Sequence, residues 1–112
     1  KTSTWSTDPN KWGEGFISAY SPDQFALLEQ YTPYGSPDSG IWAPYYTLHK
    51  LIAGFLDAYN YTGNTEALDA AKGIGTWVCN RLGACSQEQL TKMWDMYIAG
   101  EFGGFNESLA QL

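Results

Sequence analysis

The stretch Pro44-Tyr45-Tyr46-Thr47-Leu48-His49-Lys50-Leu51-Ile52-Ala53-Gly54-Phe55-Leu56-Asp57-Ala58-Tyr59-Asn60-Tyr61-Thr62-Gly63-Asn64 decides the fold class. Leu48, Leu51, Ile52, Phe55, Leu56 and Tyr59 recur at the i, i+3, i+4, i+7 spacing that puts apolar groups on one face of a helix. Pro44 marks the start, because its fixed φ suits a first turn that needs no N–H from it. Gly63 offers the left-handed residue that closes a helix, and Asn64 can cap another one immediately. Two helices joined so tightly must run antiparallel, as a hairpin.

Downstream, Leu68, Ala71, Ile74, Val78 and Leu82 continue the same period in a second helix, which Gly83 is expected to close. Gly73 and Gly75 lower its helix propensity, so they predict a neighbour in close approach. Ser86-Gln87-Glu88-Gln89 reads as a capping box opening a third helix with Leu90, Met93, Trp94 and Tyr97. A fourth begins near Gly103-Gly104 and carries Phe105, Leu109 and Leu112. Upstream, residues 1–44 are rich in Ser, Pro, Gly and aromatics. The exception is Ser21-Pro22-Asp23-Gln24, which opens a short helix burying Phe25 and Leu28. Pro33, Gly35 and Pro37 mark a loop from Tyr31 to Ser39. No alternating strand is found. The expected fold is all-α: a loop-rich segment over 1–44, then stacked antiparallel helical hairpins over 45–112. Solenoids, bundles and closed toroids share that local pattern. The chain lacks an initiator Met and stops within an apolar-periodic run, so it is expected to be a segment of a longer polypeptide.

Composition narrows the partners. The net charge is −6, with six Lys plus Arg, which repels phosphate backbones and leaves no basic cluster for nucleic acid or an anionic membrane. No apolar run reaches the roughly 20 residues of a membrane helix. A neutral ligand fits best. Aromatics reach 16%, including five Trp and eight Tyr. Most such rings belong in a core, but Trp and Tyr also suit a wet surface that meets the CH faces and hydroxyls of a sugar.

Cys79 and Cys85 are spaced C-x5-C, which is not a zinc-ligand spacing. A disulfide across the turn is the favoured reading over two free thiols. Asn60-Tyr61-Thr62 and Asn106-Glu107-Ser108 are both N-x-[ST] acceptors, and Asn60, placed in a hairpin turn, is the better glycosylation candidate. These features favour a secreted, extracellular protein.

Two places could carry chemistry. His49, the chain's single histidine, sits near its helix start beside Trp42, Tyr45 and Tyr46, where an imidazole could donate to a sugar hydroxyl. The same position suits an ordinary packed histidine. Gly103-Gly104-Phe105-Asn106-Glu107 combines glycines that allow close backbone approach with a side-chain amide and a carboxylate matched to vicinal hydroxyls. Its structural alternative is a turn whose glutamate complements the helix dipole. Glu101 and Glu107 invite comparison with a glycosidase carboxylate pair, but sequence proximity fixes neither carboxyl separation.

Trp42-Ala43-Pro44-Tyr45-Tyr46-Thr47-Leu48-His49-Lys50-Leu51, Asp57-Ala58-Tyr59, Thr62-Gly63-Asn64 and Ala67-Leu68 resemble the N-terminal part of the beta-L-arabinofuranosidase family, glycoside hydrolase family 127. Glu101-Phe102-Gly103-Gly104-Phe105-Asn106-Glu107 resembles that family's Gly-Gly-Met-Asn-Glu motif, with Phe105 for Met, and Gly15-Phe16-Ile17-Ser18-Ala19-Tyr20 resembles an upstream stretch. The resemblance implies part of an (α/α)6 toroid and a retaining, exo-acting glycosidase on plant-type glycans. It also implies that Trp42, Tyr46, His49, Gly103, Gly104, Asn106 and Glu107 line the sugar pocket. It places a zinc-held cysteine nucleophile and an acid/base glutamate in later parts of the domain, so neither role, nor a metal, is carried onto Cys79 and Cys85. The rival readings are a non-catalytic carbohydrate-binding scaffold and another toroid glycosidase or lyase. The latter act on acidic sugars and need basic residues that this chain scarcely offers.

Overall fold

The structure, a computed structural model, describes residues 12–33, 41–96 and 103–112. Those residues form five helices and no strand: α1 (Pro22–Glu29), α2 (Pro44–Thr62), α3 (Thr65–Gly83), α4 (Gln87–Met96) and α5 (Gly103–Gln111). The chain is therefore all-α, as the periodicity predicts. α2 and α3 form an antiparallel hairpin, α5 lies against α2, and α4 against α1.

Local chemistry sets most boundaries. Ser21 accepts the Asp23 N–H through its side chain, and Pro22 occupies the first turn of α1. Gly63, at φ 71°, ends α2, with its N–H donating to the Tyr59 carbonyl. One residue later Asn64 Oδ1 accepts the Ala67 N–H at 3.1 Å and starts α3. Two expectations change. α3 does end at Gly83, but through no left-handed residue: Ala84 is right-handed, and the N–H groups of Ala84 and Cys85 tighten onto the carbonyls of Arg81 and Leu82. The box opening α4 is half closed. Gln89 N–H donates to Ser86 Oγ at 3.1 Å, but the Gln89 side chain donates instead to the Glu29 carbonyl and ties α4 to the end of α1. Tyr97, expected in α4, lies outside the described residues, as does most of the Tyr31–Ser39 loop.

Aromatic rings dominate the core. Phe16, Phe25, Tyr45, Trp77 and Phe105 are buried, with Leu28, Leu48, Ile52, Ile74 and Met93 packed among them. Tyr45 meets Phe25, Trp94 and Phe105 edge-on, linking α1, α2, α4 and α5. Arg81 closes the α1–α3 side: its guanidinium lies over Trp77 and Phe25 and forks onto both carboxylate oxygens of Glu29.

The glycines of α3 do mark close packing. A Cβ built on Gly15 would lie 2.7 Å from the Gly73 carbonyl carbon, and one on Gly75 would lie 2.7 Å from Leu112 Cδ2. The incoming segment ahead of α1 and the end of α5 therefore both rest directly on α3.

The candidate disulfide is not formed. Cys79 is exposed on α3, while Cys85 turns its Sγ back onto the Arg81 carbonyl at 3.6 Å. Burial, followed by the Glu29 carboxylate, holds the Cys85 thiol above its ordinary range, which keeps it protonated and poorly reactive.

Candidate functional site

The start of α2 and the start of α5 meet at His49. Helix periodicity places Tyr46 and Lys50 along one stripe of α2, with His49 one turn beyond Tyr46 and Trp42 just ahead of the helix. That stripe faces outward. Trp42 is 59% and Tyr46 38% exposed, and with Tyr61 they are the large apolar side chains left open among the described residues. Tyr46 meets the imidazole edge-to-face at a centroid distance of 5.5 Å, and its own ring carries the Lys50 ammonium at 5.2 Å. Gln24 Oε1 accepts the Trp42 N–H at 3.2 Å, holding the entry to α2 against α1.

Helix α5 completes the junction. Its apolar face, Phe105 with Leu109 and Leu112, packs inward, whereas Asn106 and Glu107 are exposed. Gly104 lies on the imidazole: a Cβ built there would stand 2.6 Å from Nε2 and 3.0 Å from Nδ1. One turn on, the buried Ser108 hydroxyl donates to the His49 carbonyl at 3.4 Å. His49 Nδ1 is sealed from solvent with no hydrogen-bond partner. Burial lowers the His49 pKa from its ordinary 6.5, the Lys50 ammonium lowers it further, and the Glu107 carboxylate partly opposes them. The imidazole is therefore neutral near pH 7.

Sequence reasoning thus selected residues that the fold brings together, namely Tyr46, His49, Gly104 and Glu107. Gly103 and Asn106 lie on the same first turns of α5, and Trp42 lies just ahead of α2. Glu101, the other half of the carboxylate pair considered above, is outside the described residues. Two contributors were missed. Lys50 reads as an ordinary surface charge until it is seen over Tyr46. Ser108 could have been found four residues after Gly104, on the inward side of α5 that Phe105 and Leu109 define.

Other concavities lie away from this junction. One of about 430 Å³ is lined by Trp12, Trp77, Asn80 and Arg81, and one of about 580 Å³ by Asp57, Asn60, Lys72 and Gln111. His49 lines neither. Asn60 is exposed in the last turn of α2, and the Thr62 hydroxyl of its sequon donates to the Ala58 carbonyl. Among the described residues no group of three or more His, Cys, Asp or Glu could hold a metal ion. A zinc centre therefore does not fit the two thiols present, which lie on the outer side of α3 and in the turn after it. Among the same residues no helix is long and apolar enough to cross a membrane.

The sequence model of the family described as "Beta-L-arabinofuranosidase, GH127 catalytic domain" matches residues 9–112. No curated protein and no solved structure matches the chain.

Proposed function

The chain belongs to the GH127 beta-L-arabinofuranosidase catalytic-domain family, a family of glycoside hydrolases whose substrates are carbohydrates, and from that premise we propose that the α2–α5 junction is one wall of its sugar pocket. The observation that carries this reading is the convergence at His49. A neutral imidazole, the bare Gly104, the exposed Glu107 carboxylate and the exposed Tyr46 ring come together there, with Trp42 just ahead of α2 and Asn106 in the first turn of α5. Each has a use on a monosaccharide. His49 and Asn106 donate to ring hydroxyls, Glu107 accepts from one, and Trp42 and Tyr46 cover the apolar CH face. The backbone N–H groups of the first turn of α5, with Gly103 and Gly104 adding no side chains, give further donors.

In this reading the junction binds and orients, and bond cleavage belongs to groups elsewhere in the catalytic domain. Glu107 is an accepting group rather than the acid/base, and neither cysteine of this chain is the nucleophile. The substrate is a terminal arabinofuranoside of a plant-type glycan, removed with retention of anomeric configuration. Family resemblance supports those finer points, together with a toroidal arrangement and a zinc ion held by residues outside this chain. Extracellular location rests on the exposed Asn60 sequon and the acidic surface, now without a disulfide to support it.

The test uses His49→Ala and Glu107→Ala in the intact enzyme, with hydrolysis of a β-L-arabinofuranoside as readout and circular dichroism as the control for folding. A hydrogen bond to the charged Glu107 contributes about 1.5–3 kcal/mol and one from the neutral His49 about 0.5–1.5 kcal/mol, which correspond to losses of about tenfold to a hundredfold and about twofold to tenfold in kcat/KM. Full activity in both folded variants rejects the assignment. Inversion at the anomeric carbon, read by NMR of the released sugar, rejects the retaining mechanism alone.

A further inference from the structure

Gly104 has no backbone reason to be glycine. Its φ lies outside the left-handed region, unlike those of Gly13, Gly15 and Gly63. Gly103 is also free of that constraint, and a Cβ built on it meets nothing within 4 Å. What demands glycine at 104 is the imidazole. The built Cβ would touch Cε1, Nε2 and Nδ1 together, so the bare Cα lies flat against the ring face. Tyr46 approaches the same ring edge-to-face, and Ser108 ties the His49 carbonyl to α5.

We propose that Gly104 is a positioning residue for His49, holding the imidazole with Nδ1 sealed inside the α2–α5 junction so that the ring is a fixed, neutral Nε2–H donor. A proton on Nδ1 would be a buried donor with no acceptor, and orphaned N–H groups are the unpaired backbone-type donors that folded proteins most avoid. The neutral ring therefore carries its proton on Nε2. An imidazolium would need both protons and is disfavoured for the same reason. Among the described residues, the charged and titratable groups facing the ring are Tyr46 and Lys50 on α2 and Glu107 on α5. Of these, Glu107 favours the cation, and from an exposed position.

Use of this donor on a sugar hydroxyl rests on the pocket reading above; the ring geometry itself does not. The deciding measurement is therefore made without sugar, by long-range 1H–15N NMR of the imidazole in the whole protein, with His49 identified by the loss of its signals in His49→Ala. The wild type is expected to show a predominantly neutral ring protonated on Nε2 from pH 7 to 8. Gly104→Ala is expected to shift both ring nitrogens and move the titration midpoint toward 6.5, with about a twofold to tenfold loss of kcat/KM on an arabinofuranoside. Gly103→Ala is expected to leave the ring signals where they are. A wild-type ring protonated on Nδ1 overturns the proposal and needs no variant to fold. So does a Gly104→Ala protein with unchanged ring shifts and titration. If the ring behaves as expected but His49→Ala hydrolyses arabinofuranosides normally, positioning stands and the pocket reading falls.

Discussion

Replacing Gly15 with Ala probes the packing that seats the N-terminal segment on the helical hairpin. Gly15 is buried at φ 81°, a conformation that costs an L-residue about 1–2 kcal/mol. Its new Cβ would stand 2.7 Å from the Gly73 carbonyl carbon. Ordinary carbon contacts begin near 3.5 Å, so the two backbones would have to part by most of an ångström. Backbone cannot turn aside as a side-chain tip can, and overpacking of this kind costs about 1–3 kcal/mol. The two penalties together reach about 2–5 kcal/mol, a large share of the 5–15 kcal/mol that holds a typical domain folded. The segment at risk carries Phe16 and the Trp12 carbonyl that accepts from Trp77 Nε1 at 2.9 Å, so near-ultraviolet dichroism of the tryptophans should change with stability. Urea unfolding of Gly15→Ala, with Gly54→Ala as comparison, gives the readout. Gly54 is exposed in mid-α2 with open space around it, so alanine there should stabilise by about 0.5–1 kcal/mol. A Gly15→Ala midpoint within error of wild type would refute the close backbone contact.

Other outcomes follow from the same contacts. Arg81→Ala removes the fork onto Glu29 and the cover over Trp77 and Phe25, and should destabilise by about 1.5–3 kcal/mol in urea. Lys at that position should recover little, because it cannot make the paired planar contact. Folding keeps His49 neutral relative to the unfolded chain, so its contribution to stability is full above about pH 6.5 and is lost as pH falls through the depressed folded value; a urea midpoint that rises as pH falls over that range contradicts it. By the same electrostatics Glu107→Gln should lower the His49 titration midpoint and Lys50→Gln should raise it, both read by NMR. Expressed through a eukaryotic secretory pathway, the protein should gain a glycan that Asn60→Gln removes, and mass analysis checks this directly.

The helices were legible because their signals are local. Pro44, Gly63, Asn64 and Ser21 each act within four residues; α1 and α3 begin, and α2 begins and ends, where those residues require. Signals that depend on distant partners were read less completely. Gln89 carries the capping-box pattern, yet its side chain goes to Glu29, sixty residues away. Cys79 and Cys85 flank one turn at plausible disulfide spacing, but the helical position of the first points it to solvent and the second bonds back to Arg81. At the site, His49 and the double glycine were each visible as unusual residues. That Gly104 lies on the His49 ring, while Gly103 touches nothing beyond its own turn, depends on how α5 crosses α2, and no periodicity in either helix encodes that crossing.

The most direct test is to titrate methyl β-L-arabinofuranoside into the protein and follow its NMR spectrum. Saturable shifts should centre on His49, Tyr46, Trp42 and the Gly103–Glu107 amides, and His49→Ala should weaken them. Saturable shifts confined to the Trp12, Trp77 and Asn80 cleft, with the His49 ring unmoved, would place the sugar on the wrong face for the function proposed here.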